Sequence, residues 1–270
     1  KIFTFLLAKE NLLGVVFLKF VFDLDGTICF KGQPVSERIL KSLEKLEAQG
    51  HQVIFASARP IRDLLPVLDK RFHTYPMIGG NGAIVANQGQ IISTVHFDTK
   101  TLLKIKRLIE LYEVTYLIDS SWDYAYTGPA DHPILHNLDP QKLAKNRPLT
   151  ELNPIVKILM LTSKKIGQLK RDLAKLDVVV NVHGNEGVLD ISPKGINKWS
   201  GLQQLAVIEG EYIAFGNDAN DVSMFQHAKH SVMIGDHSKL KPFAEEQLPI
   251  HDDIEKDITE KVEELARFFH

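Results

Sequence analysis

The chain has 270 residues, enough for two average domains or for one large domain carrying an insertion. Its 44% hydrophobic and 24% charged residues, with 17 Gly and 12 Pro, exclude disordered, collagen-like and coiled-coil chains. Thirty-two basic against 34 acidic residues give a net charge of −2, and without a long Lys/Arg run nothing argues for nucleic acid as a partner.

Leu12 to Phe22 is apolar apart from Lys19, but too short to span a bilayer. It runs straight into Asp23, Asp25 and Gly26 instead of a small-residue cleavage site, so neither a membrane anchor nor a signal peptide is expected. Lys19 to Phe22 reads as the end of a buried strand. Residues 1–17 are expected to be an extension, with a Leu codon at Leu18 as the start. The single cysteine, Cys29, can form no intramolecular disulfide and suits a reducing cytoplasm.

Further along, short apolar runs alternate with helical patterns, as in βαβ units around a parallel sheet. Ser36 caps a helix whose Ile39, Leu40, Leu43 and Leu46 recur at helical spacing up to Gly50. A strand at Val53–Ala56, a helix over 61–68 and a strand ending near Ile78 complete the opening. The pattern changes over 83–186. A hairpin is expected around Asn87-Gln88-Gly89, then a helix from Thr99 to Tyr112 capped by Asp98. Strands near 114–118, 123–126, 156–161 and 178–183 alternate with a helix over 164–176. From 187, past an apolar run at 188–191, the βα rhythm resumes with strands at 213–215 and 232–234 and a helix over 258–269. The expected fold class is α/β: a doubly wound parallel-sheet core, residues 18–82 and 187–270, interrupted by an α+β insertion, residues 83–186.

Four segments carry chemistry, each just after an expected strand, and in open α/β sheets ligands gather at the carboxyl ends of strands. The first is Asp23-Leu24-Asp25-Gly26-Thr27, whose two carboxylates at i and i+2 repel unless a cation neutralises them. Alone it also fits a calcium-type loop or an acidic turn. Ser57, in Ala56-Ser57-Ala58-Arg59, offers a hydroxyl at a strand end beside a helix N-terminus, which suits an anion or a plain helix cap. Asn197-Lys198 opens a helix, with Asn197 as cap and Lys198 in the first turn. Lys198 alone reads equally as a solvated lysine, and Lys194 competes with it. The fourth segment, Gly216-Asn217-Asp218-Ala219-Asn220-Asp221, is rich in hard-cation ligands that are also good turn formers.

Together, in this order, the four segments resemble the haloacid dehalogenase superfamily of phosphohydrolases, in its Cof-type, large-capped branch. The resemblance runs from Leu18 to the chain end, and Asn81-Gly82 matches the Asn-Gly carried just before the cap. It implies a Rossmannoid core with an α+β cap, and an Mg²⁺-dependent phosphatase acting on a small phosphorylated metabolite such as a sugar phosphate. Asp23 would be the nucleophile forming an aspartyl-phosphate, and Asp25 the general acid and base. Mg²⁺ would bind Asp23, the Asp25 carbonyl and the last motif through Asn217 and Asp221, with Asp218 as a competing ligand. Ser57, Lys198 and Asn220 would hold phosphoryl oxygens, with Arg59, Asn81 and Gly82 also expected at the substrate. A phosphotransferase or mutase would use the same residues, and a silent binding module would have lost Asp23 or Asp25. Three positions depart from the commonest pattern: Asn217 for Asp, Ala58 for Gly and Trp199 for Gly. In the cap, Trp122, Tyr124, His132 and His136 are candidate substrate contacts, with Trp122 and Tyr124 equally suited to its core.

Overall fold

In the computed structural model, which describes residues 17–183 and 187–269, the apolar run before Asp23 forms strand β1 (Lys19–Phe22). Successive side chains point to opposite faces. Phe20 and Phe22 enter one core cluster and Val21 another, so β1 is covered on both sides, as a parallel-sheet strand must be. Each of these buried side chains contributes roughly 1.5–3 kcal/mol, which makes the strand end delivering Asp23 a firm platform.

The chain continues through α1 (Glu37–Ala48), β2 (Gln52–Ala56), α2 (Ile61–Leu64), β3 (Met77–Gly79) and the hairpin β4 (Ile84–Asn87) to β5 (Gln90–Thr94). Next come α3 (Thr99–Leu111), β6 (Thr115–Asp119), β7 (Tyr124–Tyr126), β8 (Lys157–Thr162), α4 (Ile166–Leu173), β9 (Val178–His183) and β10 (Val188–Pro193). The last part holds α5 (Lys198–Gln204), β11 (Tyr212–Gly216), α6 (Val222–Phe225), β12 (His230–Ile234), β13 (Glu246–Leu248) and α7 (Ile254–Phe268).

Eight strands form the larger sheet in the order β13-β12-β11-β1-β2-β3-β4-β5, all parallel except β4, which runs against both its neighbours. Helices α1 and α7 cover the Phe20 and Phe22 face, while α5 and α6 cover the Val21 face. Both β2 and β11 flank β1, and Phe22 pairs with Phe55 on one side and Phe215 on the other. Strand order therefore reverses at β1, where a doubly wound sheet opens its ligand crevice, and Asp23, Ser57 and Asn217 emerge there together. The second sheet, β7-β6-β8-β10-β9, is antiparallel. Along β8, Ile158 and Met160 pack under α3 and α4, while Leu159 and Leu161 face the opposite side. The fold is the expected one: a Rossmannoid core with an α+β cap.

Two segments lie in the other sheet from the one expected. Hairpin β4–β5 extends the larger sheet by antiparallel pairing with β3, and β10 pairs with β8 and β9 in the smaller one. The chain thus leaves the larger sheet after Thr94, not at 82, and returns after Pro193, not at 186. The hairpin was recognisable from its turn, but its neighbour is a long-range choice. The helix expected over 61–68 stops at Leu64, and Pro66, which has no N–H to donate, lies in the 3₁₀ turn that follows. α7 begins a turn earlier than expected, and β13 had no sequence signal. The expected extension, residues 1–17, falls outside the described residues apart from Phe17. Among the described residues no helix is long and apolar enough to cross a membrane.

Candidate active site

Asp23 leaves β1 with its N–H bonded to the Phe215 carbonyl, at 2.9 Å, and is 4% exposed. One carboxylate oxygen accepts from Thr27 Oγ1 at 2.8 Å and the other from Lys198 Nζ at 2.6 Å. Lys198 is the first residue of α5, whose cap, Asn197, exchanges reciprocal hydrogen bonds with Ser200. Fully buried, Lys198 also pairs with Asp221 Oδ1, leaving one of its three protons free. Burial pushes the Asp23 carboxyl up to about 7, with Asp221 adding to the rise and Lys198 and Thr27 opposing it. Burial disfavours the Lys198 ammonium, but the two carboxylates outweigh it and hold its pKa above the ordinary lysine value. Lys194 instead pairs with Asp177 on the surface, which removes it as a competitor. Trp199 turns from the site and stacks between His227 and Tyr212, so its bulk leaves the lysine undisturbed.

Asp25 lies half-exposed and is gripped by Arg59, Nε at 2.7 Å and Nη2 at 2.5 Å. The Arg59 N–H in turn donates to Ser57 Oγ, whose own proton remains available. Gly26 has φ +81°, and a Cβ there would lie 2.1 Å from Asn217 Nδ2, so only glycine lets the two loops touch. Nearby Cys29 is buried, which pushes its thiol up to about 11 and leaves it inert.

The last loop is organised by Asp221. Its Oδ2 accepts from the N–H groups of Asn217 and Asp218, at 2.8 and 3.0 Å, and its Oδ1 takes Lys198. Asp218 instead caps the turn at Ala219 and pairs with His237. With both Asp221 oxygens engaged, this residue anchors the loop. The oxygens that could hold a cation are the Asp23 carboxylate, the Asp25 carbonyl, the Asn217 amide and the remaining lone pairs of the Asp221 carboxylate. Such a hard-oxygen set fits Mg²⁺, which keeps several waters or phosphate oxygens of its own.

Asn81 donates its N–H to the Ser57 carbonyl at 3.0 Å, and its side-chain oxygen accepts from Asn220 Nδ2 at 3.1 Å. Asn81 is 3% exposed, and its bonds tie the hydroxyl segment to the last loop. At Gly82, φ +111°, a Cβ would meet the Asn197 carbonyl at 2.2 Å, a close approach that docks the head of α5. The core residues expected at the site fall into two hydrogen-bonded sets, Asp23–Lys198–Asp221–Asn217 and Asp25–Arg59–Ser57–Asn81–Asn220, which approach each other where Gly26 packs on Asn217. Between core and cap, beside Asp25 and Arg59, opens a cleft of about 620 Å³ walled by Leu117, Leu138, Leu159 and Val188, with Lys157 and Asp119 at its polar end. Of the cap candidates only His132 lines it, and His136 is exposed. The Trp122 carbonyl and the Tyr124 ring hold Arg62, a fully buried residue that also pairs with Asp63 and Asp119.

Sequence reasoning passed over Thr27, Lys157 and Asp190. A signal for the last two existed, since each is a charge inside an apolar strand run, and they pair with each other at 3.0 Å.

The chain is similar to known proteins over most of its length. A family model for haloacid dehalogenase-like hydrolases matches residues 20–254. A putative phosphatase of Mycoplasma genitalium is 27% identical, covering 79% of this chain and 86% of its own length. The 5-amino-6-(5-phospho-D-ribitylamino)uracil phosphatase YitU of Bacillus subtilis is 25% identical, covering 79% and 84%. Among solved structures, the haloacid dehalogenase subclass IIB sugar phosphatase BT4131 superposes with a TM-score of 0.72 at 16% identity, covering 92% of this chain and 99% of that one. With the match spanning most of its length, the chain belongs to the haloacid dehalogenase-like hydrolases.

Proposed function

We propose that this enzyme is an Mg²⁺-dependent phosphatase that hydrolyses a small phosphomonoester, a sugar phosphate or a similar metabolite, through an aspartyl-phosphate on Asp23. The observation that carries the reading is the pairing of buried Asp23 with Lys198 and Thr27 where strand order reverses, beside Asp25 at the mouth of the cleft. The cleft volume is that of a small-metabolite pocket. The sugar phosphatase structure and the ribitylamino-uracil phosphatase relative support the substrate class.

In this mechanism a carboxylate oxygen of Asp23 attacks phosphorus while the bond to the leaving oxygen breaks. The Asp25 carboxyl gives its proton to that oxygen, then takes one from the water that cleaves the acyl phosphate. Lys198, Ser57 and the Asn220 amide hold the non-bridging oxygens as charge redistributes over them. Arg59 orients the Asp25 carboxyl. Asp23, the Asp25 carbonyl, Asn217 and Asp221 would hold Mg²⁺, whose positive charge would let a carboxylate meet a phosphate dianion. The cap covers the cleft and limits water to the attacking molecule. A cytoplasmic location accords with the single buried thiol of Cys29.

A screen of phosphorylated metabolites with Mg²⁺, including sugar phosphates and 5-amino-6-(5-phospho-D-ribitylamino)uracil, tests the reading by released phosphate. EDTA is expected to silence the activity and added Mg²⁺ to restore it. Indifference to chelation contradicts the metal assignment, and phosphate passed to an added sugar phosphate instead of water marks a phosphotransferase. Asp25→Asn is expected to lose roughly 10²–10⁴-fold in kcat on alkyl phosphates and clearly less on aryl phosphates, whose leaving groups need little protonation. Equal losses on both remove Asp25 from the acid role.

A further inference from the structure

Asn81 has φ +58°, a conformation that costs a non-glycine residue roughly 1–3 kcal/mol and persists only where its surroundings hold it. Three bonds do so here. Its N–H donates to the Ser57 carbonyl, its Nδ2 to Asp190 Oδ2 at 3.1 Å, and its Oδ1 accepts from Asn220 Nδ2 at 3.1 Å. The same Asp190 oxygen takes Lys157 Nζ at 3.0 Å, and Lys157 reaches across to the Ala58 carbonyl at 2.5 Å. Asp190 and Lys157 belong to the cap sheet, on β10 and β8, and both are buried. The hydroxyl segment, the metal-side loop and the cap therefore meet at one amide.

The chemistry gives this relay a direction. A carboxylate paired with Lys157 acts only as an acceptor, so the Asn81 amide must turn its NH₂ toward Asp190 and its oxygen toward Asn220. That oxygen captures one of the two Asn220 protons, which fixes the amide plane and aims the second proton. We propose that Asn81 is a positioning residue: it aligns the Asn220 amide on the phosphoryl group and makes that alignment depend on the seating of the cap through the Lys157–Asp190 pair. The inference rests on the phosphatase reading above.

A double-mutant cycle tests it, with p-nitrophenyl phosphate and Mg²⁺ as the probe. Asn81→Gly keeps the backbone conformation without strain and removes the amide. It is expected to lower kcat roughly 10–100-fold, with KM within about threefold and the melting temperature within a few degrees. Asn220→Ala should lose a similar factor, and the double variant no more than the larger single loss, because the first residue acts through the second. Losses that multiply, or an Asn81→Gly defect confined to KM, overturn the proposal. Asp190→Asn releases the orienting constraint and is expected to lower kcat in the native background and to leave Asn81→Gly unchanged. Should Asp190→Asn prevent folding, Asp190→Glu, which keeps a charge for Lys157 and displaces the acceptor from Asn81, carries the same expectation. A further loss in the Asn81→Gly background overturns the link to the cap. A native enzyme that releases no phosphate defeats the phosphatase reading itself, whereas an active one with multiplying losses defeats only this inference.

Discussion

Asp23→Asn is expected to abolish phosphate release, by roughly 10⁴-fold or more in kcat, while the protein stays folded. The amide matches the carboxylate in shape but is too weak a nucleophile to form the acyl phosphate. Retention of the fold follows from the environment of the group. Burial raises the Asp23 pKa from 3.8 to about 7, so its contribution to stability in the metal-free protein is complete below pH 3.8 and is lost as pH rises through 7. Above pH 7 the native carboxylate is a burden that asparagine lacks. Metal-free Asp23→Asn should therefore melt no lower than the native protein at pH 8, by calorimetry. Appreciable turnover in this variant removes Asp23 from its role, and a large drop in melting temperature contradicts the buried acid.

Lys198→Met is expected to damage both stability and activity. The ammonium lies between Asp23 and Asp221, all three almost without exposure, and its removal leaves two buried acids with no cation between them. Breaking a buried ion pair from one side costs roughly 3–5 kcal/mol, about 10 °C in melting temperature for a chain of this size. The deficit should shrink at low pH, where a proton taken up by the acids substitutes for the lost charge. Melting curves from pH 5 to 8 and phosphate release check this. A variant that melts like the native protein at pH 8 contradicts the buried triad.

What could be read in advance was local chemistry. Asp23, Ser57, Lys198 and Asp221 each follow a strand or open a helix with its own turn or cap signature, and those signatures survive folding because neighbouring residues make them. Helix α3 with Asp98 as its cap is of the same kind. The sheet membership of β4, β5 and β10 was not readable, because edge pairing is decided by strands far away in the chain. Nor was the engagement of Asp221, whose acceptor bonds depend on how the loop closes on Lys198. Lys157 and Asp190 looked like ordinary strand charges until the chain between them folded them against each other.

The junction of cap and core has a mechanical character set by Arg62 and Lys157. Arg62, on α2, meets Asp119 of the cap at 2.9 Å, and Lys157 of the cap meets the Ala58 carbonyl of the core. Grease pulled apart in water resists in proportion to the area bared, but ions pulled apart regain hydration and recover much of what separation costs. A lid fastened by charge can thus lift for a polar guest at modest expense and settle into one register when it returns.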